Sequence, residues 1–200
     1  MVNPSATKAE RWILLGIPVL IVAGSLMHFI YDWTGKLTVI GIFAPVNESI
    51  WEHLKLTFWP MVLWWFLWYF INGKKFGVAL EKWITAAAGA IVASPLVILA
   101  FYYTYTGAFG IESLVLDIFS MILGITLGQC LGLHIYKYSS FGRTAVYTAI
   151  FIFAIMAVAF TVFTFLPPHI PLFWDSPTGA YGIQYSCENL HSNLSPSKNR

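Results

Sequence analysis

The stretch Ala44-Pro45-Val46-Asn47-Glu48-Ser49-Ile50-Trp51-Glu52-His53-Leu54-Lys55 gathers two carboxylates, an imidazole and a lysine within a few residues. Glu48 and Glu52 are four apart and share a face if a helix already includes Glu48. Two close carboxylates resist double ionisation, so such a pair shares a proton, binds a cation or is relieved by a lysine. His53 lies about 100° around the helix from Glu52, closer to the Ser49 face. His28 and Asp32 repeat the four-residue spacing. A carboxylate beside an imidazole fixes its tautomer and raises its basicity, as in many metal and acid–base sites.

The same residues also have structural roles open to them. Ser49-x-x-Glu52 reads as a capping box that opens a helix, the acids suit the helix dipole, and Lys55 can pair with Glu52 three residues earlier. These roles account for Ser49, Glu52 and Lys55. They leave His28, Glu48 and His53 without a structural reason.

What must position these residues is a set of membrane helices. Of the 200 residues, 58% are hydrophobic and 10% charged, and the mean hydropathy is +0.71. A soluble domain carries about a quarter charged residues, so the surplus apolar surface must face something other than water. The implied partner is the lipid bilayer. A helix needs roughly 20 apolar residues to cross a hydrocarbon core. Five runs approach that length, predicting helices over 12–31, 49–71, 83–106, 112–136 and 144–166. The fifth stops at Pro167-Pro168, which cannot continue a helix. The expected fold is therefore an all-α integral membrane bundle formed by residues 1–186, with a short re-entrant or capping segment after the fifth helix and a polar tail over 187–200. The first run also has the charge pattern of a signal peptide, but no small-x-small cleavage site follows it, so it reads as a retained helix.

Lys8, Arg11, Lys74, Lys75, Lys82, Lys137 and Arg143 fall on one side of this arrangement. The positive-inside rule then places the N-terminus inside and the C-terminus outside, in a bacterial or archaeal plasma membrane. With that orientation His28, Asp32, Asn47, Glu48, Glu52, His53, Glu112, Asp117, His169 and Asp175 all reach the outer end. Ionisable groups at membrane depth are costly unless paired, so their convergence on one level marks a functional site. Asp117, roughly a turn and a half inside its helix, needs a partner. His169 and Asp175 lie in a proline-rich segment that could cover the cluster.

The candidates divide by chemistry. Glu48, Glu52, His53 and Asp117 are the expected acid–base residues, and His28, Glu48, His53 and Asp117 the expected ligands of a divalent metal such as zinc. Asp32, Asn47, Lys55, His169 and Asp175 complete the outer cluster. Some signatures are missing: there is no His-Glu-x-x-His motif, no Gly-x-Ser-x-Gly elbow and no phosphate-binding loop. A net charge of +2 without a basic stripe argues against nucleic acid. Cys130 and Cys187 are expected on opposite faces, which leaves no disulfide within the chain.

Three blocks carry a resemblance: His28-Phe29-Ile30-Tyr31-Asp32-Trp33-Thr34-Gly35, Pro45 to Lys55, and Pro171-Leu172-Phe173-Trp174-Asp175-Ser176-Pro177-Thr178-Gly179-Ala180-Tyr181-Gly182-Ile183. With them the chain resembles a family of small polytopic bacterial membrane proteins of unknown function. The resemblance lends no activity.

Three functions stay open. One is a membrane-embedded hydrolase, metal-assisted or acid–base, acting on a lipid-linked substrate. Another is a proton- or cation-coupled transporter, although the inner half offers mainly Gln129 and His134 to continue a pathway. The third is a non-catalytic subunit with a structural polar network. A homo-oligomer or a larger membrane complex would suit the small-residue stretches Ala86–Ala90 and Gly124-x-x-x-Gly128.

Overall fold

The computed structural model describes residues 4–140 and 142–183; Cys187 and the polar tail lie outside the described residues. Six α-helices are formed: α1 (Pro4–Trp33), α2 (Ile50–His53), α3 (Lys55–Trp68), α4 (Leu80–Phe109), α5 (Leu114–Tyr138) and α6 (Arg143–Phe165). α2, α3 and a π-helical turn over Tyr69–Gly73 run on as one stretch. Five segments are long and apolar enough to cross a membrane: Lys8–Trp33, Ile50–Gly73, Leu80–Phe109, Leu114–Tyr138 and Arg143–Phe165. Each lies within a few residues of a run read from the sequence.

Local chemistry sets several boundaries. α4 ends at Gly110, whose φ of 65° places it in the left-handed region and whose N–H returns to the Thr106 carbonyl. Few residues other than glycine take that conformation cheaply, so the helix stops there. α6 ends one residue before Leu166-Pro167-Pro168. Pro18, Pro60 and Pro95 lie inside α1, α3 and α4 without ending them.

The most extensive contact is between α4 and α5. It rests on Gly124, Gly128 and Gly132, spaced four apart along one face of α5. A Cβ on Gly128 would stand 2.7 Å from the Ala90 carbonyl oxygen, and one on Gly124 would stand 2.8 Å from that of Ser94. Gly132 meets Ala90, Ala86 and the Trp65 ring in the same way. The small-residue stretches that suited self-association are thus packed against each other inside the chain, which removes that surface from an oligomer contact.

The centre is tied by buried polar groups. The Trp65 indole donates to Gln129 Oε1 at 2.8 Å, Gln129 Nε2 donates to the Ile13 carbonyl at 3.0 Å, and the Trp83 indole donates to the Trp65 carbonyl at 2.9 Å. These bonds fasten α1, α3, α4 and α5 where water is excluded. Trp12 and Trp64 stack at 4.0 Å beside them. The outward faces are apolar, with Leu15, Val22 and Leu26 exposed on α1 and Phe151, Ile155 and Val158 on α6.

After α6 the chain turns back over the end of the bundle. A 3-10 turn at Pro171–Phe173 leads into a two-stranded antiparallel ribbon, β1 (Trp174–Asp175) paired with β2 (Ala180–Tyr181). Phe173 packs against Trp51 at 4.9 Å, and the Ile183 N–H donates to the Thr164 carbonyl. This cap covers the end at which α1 finishes and α2 begins.

Because the obstacle at Gly128 is backbone, Gly128→Ala must push α4 and α5 apart. It is expected to cost about 1–3 kcal/mol. Gly107→Ala, whose Cβ meets nothing within 4 Å, is the matched control. Thermal unfolding of both variants in detergent measures the difference.

Candidate metal centre

Ser49 sets the geometry of the site. Its backbone is extended and its hydroxyl accepts from the Glu52 N–H, making it the N-cap of α2. Glu48 therefore precedes the helix. A shared face for Glu48 and Glu52 required a helix that already includes Glu48, and that condition is not met. The capping box is also only half formed: the Ser49 N–H donates to Asn47 Oδ1 and not to Glu52.

Glu52 is turned inward with Lys55, and the two are 2% and 0% exposed. Lys55 Nζ donates to Glu52 Oε2 at 2.6 Å, to Thr164 Oγ1 at 2.6 Å and to the Gly41 carbonyl at 2.7 Å. Glu52 Oε2 also accepts from the Val46 N–H at 3.0 Å. All three protons of the ammonium have acceptors, so this pair is a closed structural network. Sequence reasoning found the Glu52–Lys55 spacing but missed Thr164, an ordinary threonine in an apolar helix 109 residues away.

Glu48 points elsewhere. One of its oxygens lies 3.4 Å from His53 Nε2 and the other 3.7 Å from His28 Nε2. The two imidazoles are stacked with centroids 5.3 Å apart. α1 brings His28 there because it runs close to α3 one turn earlier: a Cβ on Gly24 would stand 2.7 Å from the Leu56 carbonyl oxygen. His28, Glu48 and His53 can each offer a ligand atom, all within 4.8 Å of one another. The rings are about a quarter exposed and the Glu48 side chain half exposed.

The protonation states follow from the partners. His53 Nδ1 lies 2.9 Å from the Ser49 carbonyl, which can only accept, so Nδ1 carries a proton. In the neutral ring Nε2 is then a bare lone pair facing a carboxylate. In the doubly protonated ring Nε2–H instead donates to Glu48, and that hydrogen bond, which outweighs burial, holds the Glu48 carboxyl below the ordinary carboxylate range. Two acceptors facing each other are stable only if the ring takes a second proton or a cation lies between them. A tetrahedral ion with bonds of about 2.0–2.1 Å separates its donors by about 3.3–3.4 Å; here one Glu48 oxygen lies 3.4 Å from His53, the other 3.7 Å from His28, and the three ligand atoms lie within 4.8 Å of one another.

The other candidates lie around this triad. Asp175 is buried, and it accepts from the Glu48 N–H at 2.9 Å and from the Thr178 hydroxyl. Asn47 Nδ2 donates to the Gly182 carbonyl at 3.0 Å. The cap thus holds Asn47 and the Glu48 amide. Asp117 is outside the triad, taken by the Tyr105 hydroxyl at 2.6 Å. Asp32 pairs with Lys36 at the surface, and His169 stacks on Tyr181. Tyr105 was not found by sequence reasoning; its place across the short α4–α5 turn from Asp117 was the available signal.

Replacing Lys55 alone strands the Glu52 carboxylate in the interior. Lys55→Met is expected to cost roughly 3–5 kcal/mol, and the double variant Glu52→Gln/Lys55→Met to recover most of it. Detergent melting curves and the yield of monodisperse protein report both.

No curated protein and no solved structure matches the chain. Residues 1–183 match a family model described as "Family of unknown function (DUF6512)", and the chain belongs to that family.

Proposed function

We propose that the protein is a multi-pass cell-membrane protein whose His28, Glu48 and His53 bind one divalent metal, which activates water for hydrolysis of a lipid-linked substrate. The observation that carries the proposal is the convergence of His28, Glu48 and His53, whose ligand atoms lie within 4.8 Å of one another. Two imidazoles and one carboxylate are a zinc-type donor set that leaves a fourth position open. A metal there would lower the pKa of bound water and supply a nucleophile at neutral pH.

Placement at the membrane surface supports the substrate class. Phe29 and Trp33 are exposed beside His28 and stack on each other at 5.7 Å, as residues of the interface do. Glu48 is open on the same side. The basic residues of the opposite end favour an orientation with the triad outward. The transport reading has less to draw on, because Gln129, the main polar group of the other half, is fully engaged in the Trp65–Ile13 tie.

Elemental mass spectrometry of protein purified without chelator tests the site. About one zinc or similar ion per chain is expected in wild type, with loss in His28→Ala and in His53→Ala and retention in His169→Ala. A metal-free wild type that takes up no added zinc would remove the metal reading.

Asp175 should act through Glu48. Asp175→Ala is expected to weaken metal affinity about ten- to a hundred-fold, as loss of an outer-shell partner does. Asp32→Ala, at an exposed pair, should leave it unchanged. Competition with a zinc-sensitive dye reads both affinities.

A further inference from the structure

The opposite end of the bundle holds a groove unrelated to the triad. α4 and α6 both begin there, and between them two cavities lie end to end, sharing Gly142. The outer one, about 360 Å³, is lined by Glu81, Lys82, Ser139, Ser140 and Arg143 together with Ala79 and Gly142. The deeper one, about 520 Å³, runs between the helices along Thr85, Ala88, Ala145, Thr148, Ala149 and Ile152. Its floor is the small apolar contact of Ile84, Ala88, Val146 and Ala149.

The two halves differ in chemistry. At the mouth are two cations, and among the described residues neither Lys82 nor Arg143 has a carboxylate within ion-pair distance. Lys82 instead sits over the Tyr136 ring at 5.1 Å, which leaves its charge unneutralised. Glu81 is the one carboxylate of the lining, so the mouth is net positive. Ser139 and Ser140 add hydroxyls. The deeper half carries no charge, and two of its threonine hydroxyls are turned to their own helices: Thr85 to the Glu81 carbonyl and Thr148 to the Thr144 carbonyl. Thr144 also lines it, next to the mouth, and the other side chains facing the groove are alkyl.

A cationic mouth continuous with an apolar cleft between membrane helices matches one molecule end to end. We infer that this groove is a binding site for an anionic phospholipid, with the phosphate headgroup at Lys82 and Arg143 and an acyl chain along Ala88, Ala145 and Ala149. The inference rests on the bundle spanning a membrane, and is independent of the metal centre. Neither α4 nor α6 has a side-chain cap at its start, so the positive ends of both helices reinforce the mouth. Basic pockets between membrane helices attract acidic headgroups in this way.

Native mass spectrometry in detergent, with dioleoylphosphatidylglycerol and dioleoylphosphatidylcholine as probes, is the test. One phosphatidylglycerol should be retained per chain, with phosphatidylcholine at least ten-fold weaker. Lys82→Ala/Arg143→Ala should weaken phosphatidylglycerol by about ten-fold or more. Thr148→Phe, which fills the deeper cavity and leaves both cations, should also displace it. Folding of each variant is checked by helical circular dichroism and by an unchanged metal content or melting temperature. Equal binding of the two lipids, or full retention by both variants, would overturn the inference. Competition by millimolar inorganic phosphate as effective as by lipid would also overturn it, reducing the mouth to an anion site. So would a dimer that Thr148→Phe breaks, because the groove would then belong to a second copy.

Discussion

A lysine ammonium with no exposure to solvent is the constraint on which this end of the molecule depends. Lys55 can stay charged in an apolar interior only while each of its protons has an acceptor, and those acceptors come from three separate places: the loop at Gly41, the start of α2 at Glu52 and the last turn of α6 at Thr164. Removing any of them leaves charge uncompensated where water cannot replace it. The network therefore forces the loop over 36–49 into one position. Glu52 extends the constraint to Val46, two residues before Glu48. The cap meets the same short segment from the other side, through Asp175 and the Gly182 carbonyl. Glu48 is thereby held between two independent anchors.

This division separates structure from chemistry among residues that look alike in sequence. Glu52 and Glu48 are the same residue type four positions apart. The first has its oxygens occupied by an ammonium and a backbone amide in a dry interior. The second is half open, and faces two ring nitrogens at distances too long for good hydrogen bonds and close to the edges of a metal tetrahedron. A buried polar group whose partners are complete explains itself by stability.

The helical framework was legible because the information is local and redundant: apolar runs of membrane length, a glycine at the end of α4 and the double proline after α6. The Glu52–Lys55 pair was equally legible, being three residues apart on one helix. Whether Glu48 and Glu52 share a face was left open, because it turned on whether the helix begins before Ser49 or at it. Its role as the cap moves Glu48 out of the helix and changes where its carboxylate points. Thr164 and Gly41 were not legible at all, since their roles arise from packing across the bundle; for Tyr105 the signal was its place across the short turn from Asp117. His28 and His53 were named together as expected ligands, but the contact that brings them together was not legible. What decides it is Gly24, where the absence of a side chain lets α1 approach the α3 backbone.

The position of Glu48 just outside a helix also bears on which member of the triad can move. A side chain fixed in a helix interior is moved only with the helix, whereas Glu48 is carried on a bend held by hydrogen bonds. His28 and His53 sit on elements locked by tight helix contact and by the Ser49 carbonyl, so they form the rigid half of the triad. In the proposed site Glu48 is then the member that can adjust, and the Asp175 bond to its amide is where the cap acts on it.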